Sequence, residues 1–496
     1  MQTKTCRGKV NLEALTLFAL IGTLFIIGCG SAPILYTVGG NVSHLVGSMV
    51  VLQDNNGDNL TVTANGPFTF KTALASGANY SVMVLTQPTN PGQMCTVMNG
   101  SGSVGSAAIT NVAVTCQTIT TSLAVADFSN NRVLVYDTPF NTDEPANFVL
   151  GQANFTTATS GATGITMNQP TGVASDITGN LYVTEDGNCR ALQFVPPFSN
   201  GKSASLVFGQ PNLTTVTCPA SITASTLGSS VSNADQVFGV TVDSSGNLWV
   251  ADAGANRVLE YKPSFSNGMA ATLAIGQPNL TSGSVNQGLA NPTSSSLSDP
   301  SYPVFDPSGN LWIADFNNSR MLEFKPPFTT GMVANVVLGQ ADFTHGAGNQ
   351  GGAVGPKTIL GAGGAAFDSL GNLWMADYAN NRVLEFEPPF TTNMSASLVL
   401  GQADFTHNAS NQGNAAPTSS SMSFPDQVSF DNNGDLFVSD SGNNRTLVFK
   451  PPFGSNGVNA TLVIGQAGFT TAGAPAPPTA TSQSLPTGVA TAPPLY

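Results

Sequence analysis

The sequence predicts an all-β chain, a small β-sandwich followed by a six-bladed β-propeller whose last strand comes from the C-terminus. Three observations lead there. The chain is polar without being charged: 9% of its 496 residues carry charge, against 52 glycines and 32 prolines, a balance typical of turn-rich extracytoplasmic β-proteins. Six arginines, Arg132, Arg190, Arg257, Arg320, Arg382 and Arg445, stand 58, 67, 63, 62 and 63 residues apart, a period that belongs to solenoids and propellers. The repeat is also split between the two ends of its region, as ring closure requires.

The first element is an address. Lys4, Arg7 and Lys9 form a positive leader, residues 14–27 are apolar, and IIGC follows. This end resembles a bacterial lipobox. The resemblance implies a signal peptide over 1–29, a lipid on Cys29 and, because Gly30 rather than Asp follows, the outer membrane of a Gram-negative envelope. Setting aside Cys6 and Cys29 leaves an even number of cysteines for an oxidising compartment, and the simplest reading pairs Cys95 with Cys116 and Cys189 with Cys218. No CxxC or Cys/His ligand spacing suggests structural zinc.

Residues 36–118 read as the sandwich. Short runs such as VVLQ and YSVMV alternate apolar and polar residues between NNGD, NGP and SGAN turns, and no helical period survives. The order GG-x-V, VVLQ, NG-x-FTF, SGANYSVMV resembles carboxypeptidase-regulatory-like or transthyretin-like modules; no aromatic platform or carboxylate cluster is concentrated there, which favours a spacer lifting the main domain off the membrane over a sugar- or peptide-binding module.

Residues 119–496 are repeats. Each unit runs through a segment ending in Asp, then GNLWVAD, a turn, NRVLEF, a proline-rich PPF, an LVLGQ-type stretch and a long Ser/Thr/Asn/Gly loop. That is four short strands. Pro326-Pro327, Pro388-Pro389 and Pro451-Pro452 cannot donate ladder hydrogen bonds and so end the third strand, and LVLGQ becomes the outer strand. The first unit starts abruptly at Ser122, while the tail SLPTGVATAPPLY matches QPTGVASD at 169–176. Residues 486–491 can therefore supply the missing inner strand and remove the exposed edges. The P-x-G-V-A-x-D, G-N-L-x-V-x-D and N-x-R-V-x-x-F elements resemble the NHL-repeat propellers, in units lengthened by the PPF and LVLGQ segments.

Each arginine stands five residues after an acid: Asp127, Glu185, Asp252, Asp315, Asp377 and Asp440. A ligand is rarely sixfold symmetric, whereas a fold constraint recurs with the fold unit, so these pairs read as structural, bonding across the turn and to turn backbone. Asp176, Asp243, Asp306, Asp368 and Asp431 read as turn-formers. The aromatics Tyr182, Trp249, Trp312, Trp374 and Phe437 share one repeat position, which points to packing between blades rather than a glycan platform.

Function is expected where the units differ. The long loops 156–168, 214–234, 282–298, 345–360, 407–423 and 471–483 fall on one face, with the turn between second and third strands, and make the candidate recognition surface. The net charge of -13 excludes a nucleic-acid partner. Some six-bladed relatives are lyases with histidine-bound zinc or calcium-dependent lactonases. This chain has three histidines, His44, His345 and His407, the last two being repeat copies after ADFT and a weak metal pair at best. The expected function is non-catalytic binding of a protein or glycan by a membrane-anchored protein without cofactor, with calcium in the channel left open. The alternative is a metal-dependent hydrolase or lyase centred on the channel.

Overall fold

The computed structural model describes residues 33–46, 49–88, 93–118, 122–215, 217–229 and 236–492. The leader and the lipobox cysteine Cys29 lie outside them. The described residues are almost wholly β, in eight four-stranded sheets and one two-stranded sheet.

Two of the four-stranded sheets come from the N-terminal region. One has the order Gly66–Thr69, Val38–Ser43, Ile109–Thr118, Gln93–Met98, and the other Asp58–Val62, Val50–Asp54, Asn79–Thr86, Ser101–Ser103. Val50–Asp54 alternates buried and half-buried side chains, as a strand with one covered face does. Val38, Val42 and Val114 from the first sheet meet Val50, Leu52 and Tyr80 from the second in one apolar core. Cys95 and Cys116, directly opposed on neighbouring strands, are joined by a disulfide. Cys189 and Cys218 form the second.

The other six four-stranded sheets lie within 122–492, and five of them are ordered by sequence from inner to outer strand. The fifth shows the pattern: Ala362–Phe367, Leu373–Asp377, Arg382–Phe386 and Leu398–Leu400. Its third strand stops two residues before Pro388-Pro389, and its fourth has only three residues. The sheet holding Ser122–Asp127 takes its inner strand from Pro486–Ala492, which runs antiparallel to it.

Inner strands touch in succession and the series returns to its start, which makes this region a β-propeller. Thr171 Oγ1 donates to Val237 O (2.8 Å), Gly239 N to Ser301 O (2.7 Å), Ser301 Oγ to Ala362 O (2.8 Å), Val489 N to Gln427 Oε1 (2.8 Å) and Thr487 Oγ1 to Thr171 O (2.8 Å), and a Cβ on Gly363 would lie 2.6 Å from Asp426 O. The approach is close enough to require glycine: a Cβ on Gly488 would lie 2.5 Å from Thr171 O.

Between sheets the core is aromatic. Trp249 packs on Phe328 of the next sheet (5.2 Å between ring centres), Trp312 on Phe390 (4.9 Å), Trp374 on Phe453 (4.9 Å), Tyr182 on Phe265 (6.3 Å) and Phe437 on Phe140 (5.4 Å). All three tryptophans are fully buried, so this repeat position joins sheets and offers no open platform for a sugar. Each indole N–H also finds a partner in the turn between first and second strands: Trp249 Nε1 donates to Asp243 (3.0 Å), whose carboxyl accepts from Ser245 and Asn247 as well. Asp306 and Asp368 hold Trp312 and Trp374 in the same way, and Tyr182 and its turn residue Asp176 do so through the phenol.

Candidate functional site at the mouth of the ring

The turn between second and third strands is a short 3-10 turn closed by a residue in the left-handed region, such as Asn381 at φ 54°. Asn tolerates that conformation well. The turn places the repeat acid opposite the repeat arginine, and the pair is buried. Arg382 Nε donates to Asp377 Oδ2 at 2.8 Å, with both side chains fully covered. The same bond joins Arg132 to Asp127, Arg257 to Asp252, Arg320 to Asp315 and Arg445 to Asp440 at 2.6 to 2.7 Å, and Arg190 to Glu185.

The remaining guanidinium donors go to the long loops rather than to the turn backbone expected from the sequence. Arg382 Nη1 donates to Phe405 O in the outgoing loop (2.7 Å), and Nη2 donates to Gly355 O and Thr358 O in the incoming one (3.0 and 2.9 Å). Asp377 Oδ1 accepts from Leu360 N, where the incoming loop meets the first strand (2.7 Å). Every unit repeats this arrangement, as with Arg132 on Phe155, Thr479 and Ser482. The planar fork of arginine reaches three backbone carbonyls and a carboxylate at once, which lysine cannot. Burial pushes the six carboxyls up from their ordinary range, while the adjacent guanidinium pulls them back down.

A second device escaped the sequence reading. The glutamine of each LVLGQ-type stretch is buried and ties the turn to the outgoing loop: Gln402 Nε2 donates to Asn381 O (3.0 Å) and Ala409 O (2.9 Å), and Gln152, Gln210, Gln277, Gln340 and Gln466 do the same. Its signal was the dipeptide GQ, present once per unit. The loops are also less variable than expected. Three of them carry the same NQG turn, in which Asn286, Asn349 and Asn411 bond to Asn318, Asn380 and Asn443.

His345 and His407 are exposed, and each bonds through Nδ1 to the aspartate three residues earlier, Asp342 (2.7 Å) and Asp404 (2.8 Å). They are two copies of one loop turn. Among the described residues no group of three or more His, Cys, Asp or Glu side chains is placed to hold a metal ion.

The units disagree at the axis. The residue after the repeat acid is Phe128, Asp186, Ala253, Phe316, Tyr378 or Ser441. Four of these, Phe128, Phe316, Tyr378 and Ser441, frame with the starts of the inner strands a cup of about 210 Å³. Phe128, Phe316, Tyr378 and Leu485 line it together with Asp299, Asp426 and four hydroxyl residues. Phe316 and Tyr378 lie 5.6 Å apart between ring centres, and Tyr378 and Phe424 5.1 Å. One residue further along its strand than Ser301, Tyr302 is buried against Phe238 and donates its hydroxyl to Thr171 O two sheets away (3.4 Å). The cup therefore has a polar and aromatic lining above a bridged axis.

Fold and site together define a β-propeller with one reinforced loop face. No protein-family model matches the chain, and no curated protein does. Among solved structures it is similar to a protein of unknown function from Bacteroides caccae, at 10% identity over 75% of this chain and 98% of that one, with a TM-score of 0.42. It is also similar to a catalytically inactive variant of the virginiamycin B lyase from Staphylococcus aureus solved with quinupristin, at 11% identity over 72% and 85% and a TM-score of 0.33. Likenesses this distant carry no chemistry to the present chain.

Proposed function

We propose that the chain is a non-catalytic binding protein of the cell envelope that recognises a protein or glycan on the loop face of a six-bladed, NHL-type propeller. In this reading residues 1–29 are a lipoprotein signal ending at the lipidated Cys29, 36–118 are a β-sandwich spacer and 119–496 are the propeller, closed by the C-terminal strand. The two disulfides suit an oxidising compartment, and among the described residues no helix is long and apolar enough to cross a membrane.

One observation carries the functional reading. The buried arginine and glutamine bonds hold every long loop by both ends, and the surface they support differs from unit to unit at Phe128, Asp186, Ala253, Phe316, Tyr378 and Ser441. A rigid scaffold carrying a varied surface is the usual architecture of a recognition face. The test is a capture experiment from envelope extract and on a glycan array, using the full chain. His407→Glu with Ala415→Arg alters the loop face, and Leu370→Arg alters the turn between first and second strands. Loss of the captured species with the first variant and retention with the second is expected. Equal behaviour of the two would remove the face assignment.

A further inference from the structure

Resting on the reading of the loop face as a binding face, we infer that the cup at its centre takes an organic ammonium ion, its charge between Asp299 and Asp426 and its carbon groups against Phe128, Phe316 and Tyr378.

The cup is built of acceptors and ring faces. Its lining has no lysine, arginine, histidine, asparagine or glutamine. Four of its five hydroxyl residues, all but Tyr378, spend their protons on neighbouring carbonyls: Thr171 on Val237, Ser301 on Ala362, Thr487 on Thr171 (each 2.8 Å) and Ser441 on Pro486. What these groups turn toward a ligand is lone pairs, so an anion finds no side-chain hydroxyl donor among them. The two carboxyl groups supply negative charge. The repeat arginines are committed beneath the loops, and the net charge of -13 favours the approach of cations over anions.

The aromatic groups decide which cation. A metal ion of the calcium type wants six or more oxygen ligands, which the ring carbons of Phe128, Phe316 and Tyr378 do not supply. An alkylammonium instead gains from ring faces within about 6 Å of its charge. Phe316 and Tyr378, 5.6 Å apart and only half-buried, offer adjoining rings beside the carboxyl groups. The volume of about 210 Å³ suits a small ion. The asymmetry fits too: aromatic residues occupy this position at 128, 316 and 378, whereas Asp186, Ala253 and Ser441 occupy it in the other units.

The experiment is calorimetric titration of the full chain with choline and with its uncharged carbon isostere 3,3-dimethyl-1-butanol, with calcium chloride as a third titrant. Choline is expected to saturate one site, with the isostere weaker by about tenfold or more. Asp299→Asn and Phe316→Leu, both at half-buried positions, should each weaken choline by a similar factor while melting as the parent does. Asp426→Asn, deeper in the cup, should do so if it folds. Equal binding of choline and isostere, no saturation by choline, or calcium displacing choline with loss of both effects in Asp299→Asn would each overturn the inference. If choline fails while the loop-face variant still abolishes capture, only the inference falls. If choline binds while that variant captures normally, the broader reading of the face falls instead.

Discussion

The buried hub and the open cup lie one residue apart in the chain and follow opposite rules. At the hub every unit has an acid with an arginine five positions on, fully covered and bonded to the same carbonyls in the incoming and outgoing loops. At the next position the side chain passes from phenylalanine to aspartate, alanine, tyrosine and serine. The difference teaches what repetition selects. A group that holds loops must recur wherever a loop recurs, whereas a group that meets a ligand on the axis meets it from one direction only.

The strongest way to break the comparison is Arg382→Ala. It strips Asp377 of its counter-ion in a covered site and frees Phe405, Gly355 and Thr358 carbonyls, so a loss of about 3–5 kcal/mol is expected in urea unfolding. The double variant Asp377→Leu with Arg382→Met should recover part of that loss, because no lone charge then remains buried. Unchanged stability with loss of choline binding would move the hub into the ligand site and erase the distinction. A smaller effect is expected from Gln402→Leu. It leaves Asn381 and Ala409 carbonyls without their donor and should cost about 1–3 kcal/mol in the same assay, with choline binding unaltered.

The smallest effect sharpens the comparison from the loop side. In the exposed turn before His345, the Thr344 hydroxyl, the His345 ring and the Thr344 N–H hold the Asp342 carboxyl at about 2. The folded value lies below the ordinary one of about 4. The turn's support is therefore present above about pH 4 and is lost as pH falls through 2. Carbon-detected NMR titration should place the Asp342 midpoint there, with Asp404 likewise below the usual carboxylate range. A midpoint near 4 would mean the turn is open in solution.

Much of the fold was legible because its constraints repeat. The acid and arginine five residues apart, the proline pairs after the third strand and the second copy of PTGVA near the C-terminus each mark an element that the structure contains. The shared NQG turn is also visible in three loops, where the surrounding Ser/Thr/Asn/Gly composition masks it. Other features left no mark. The hub's further partners are backbone carbonyls, which any residue supplies, so no pattern of side chains could announce them. Asp299 and Phe316 flank strands of one sheet, Tyr378 and Asp426 belong to two others, and they meet only when the ring brings these corners to one axis. Distance along the sequence conceals such a convergence.

The strand Pro486–Ala492 sets the order in which the molecule can be made. It completes the sheet begun at Ser122, and just before it Ser484 N bonds Asp127 Oδ1 across 357 residues of chain. During synthesis the earliest sheet of the ring must wait, with one edge unpaired, until nearly all the rest has emerged. Each nascent intermediate is thus an open arc with a sticky margin, and a chaperone that shields Ser122–Asp127 would guard the whole assembly until its clasp arrives.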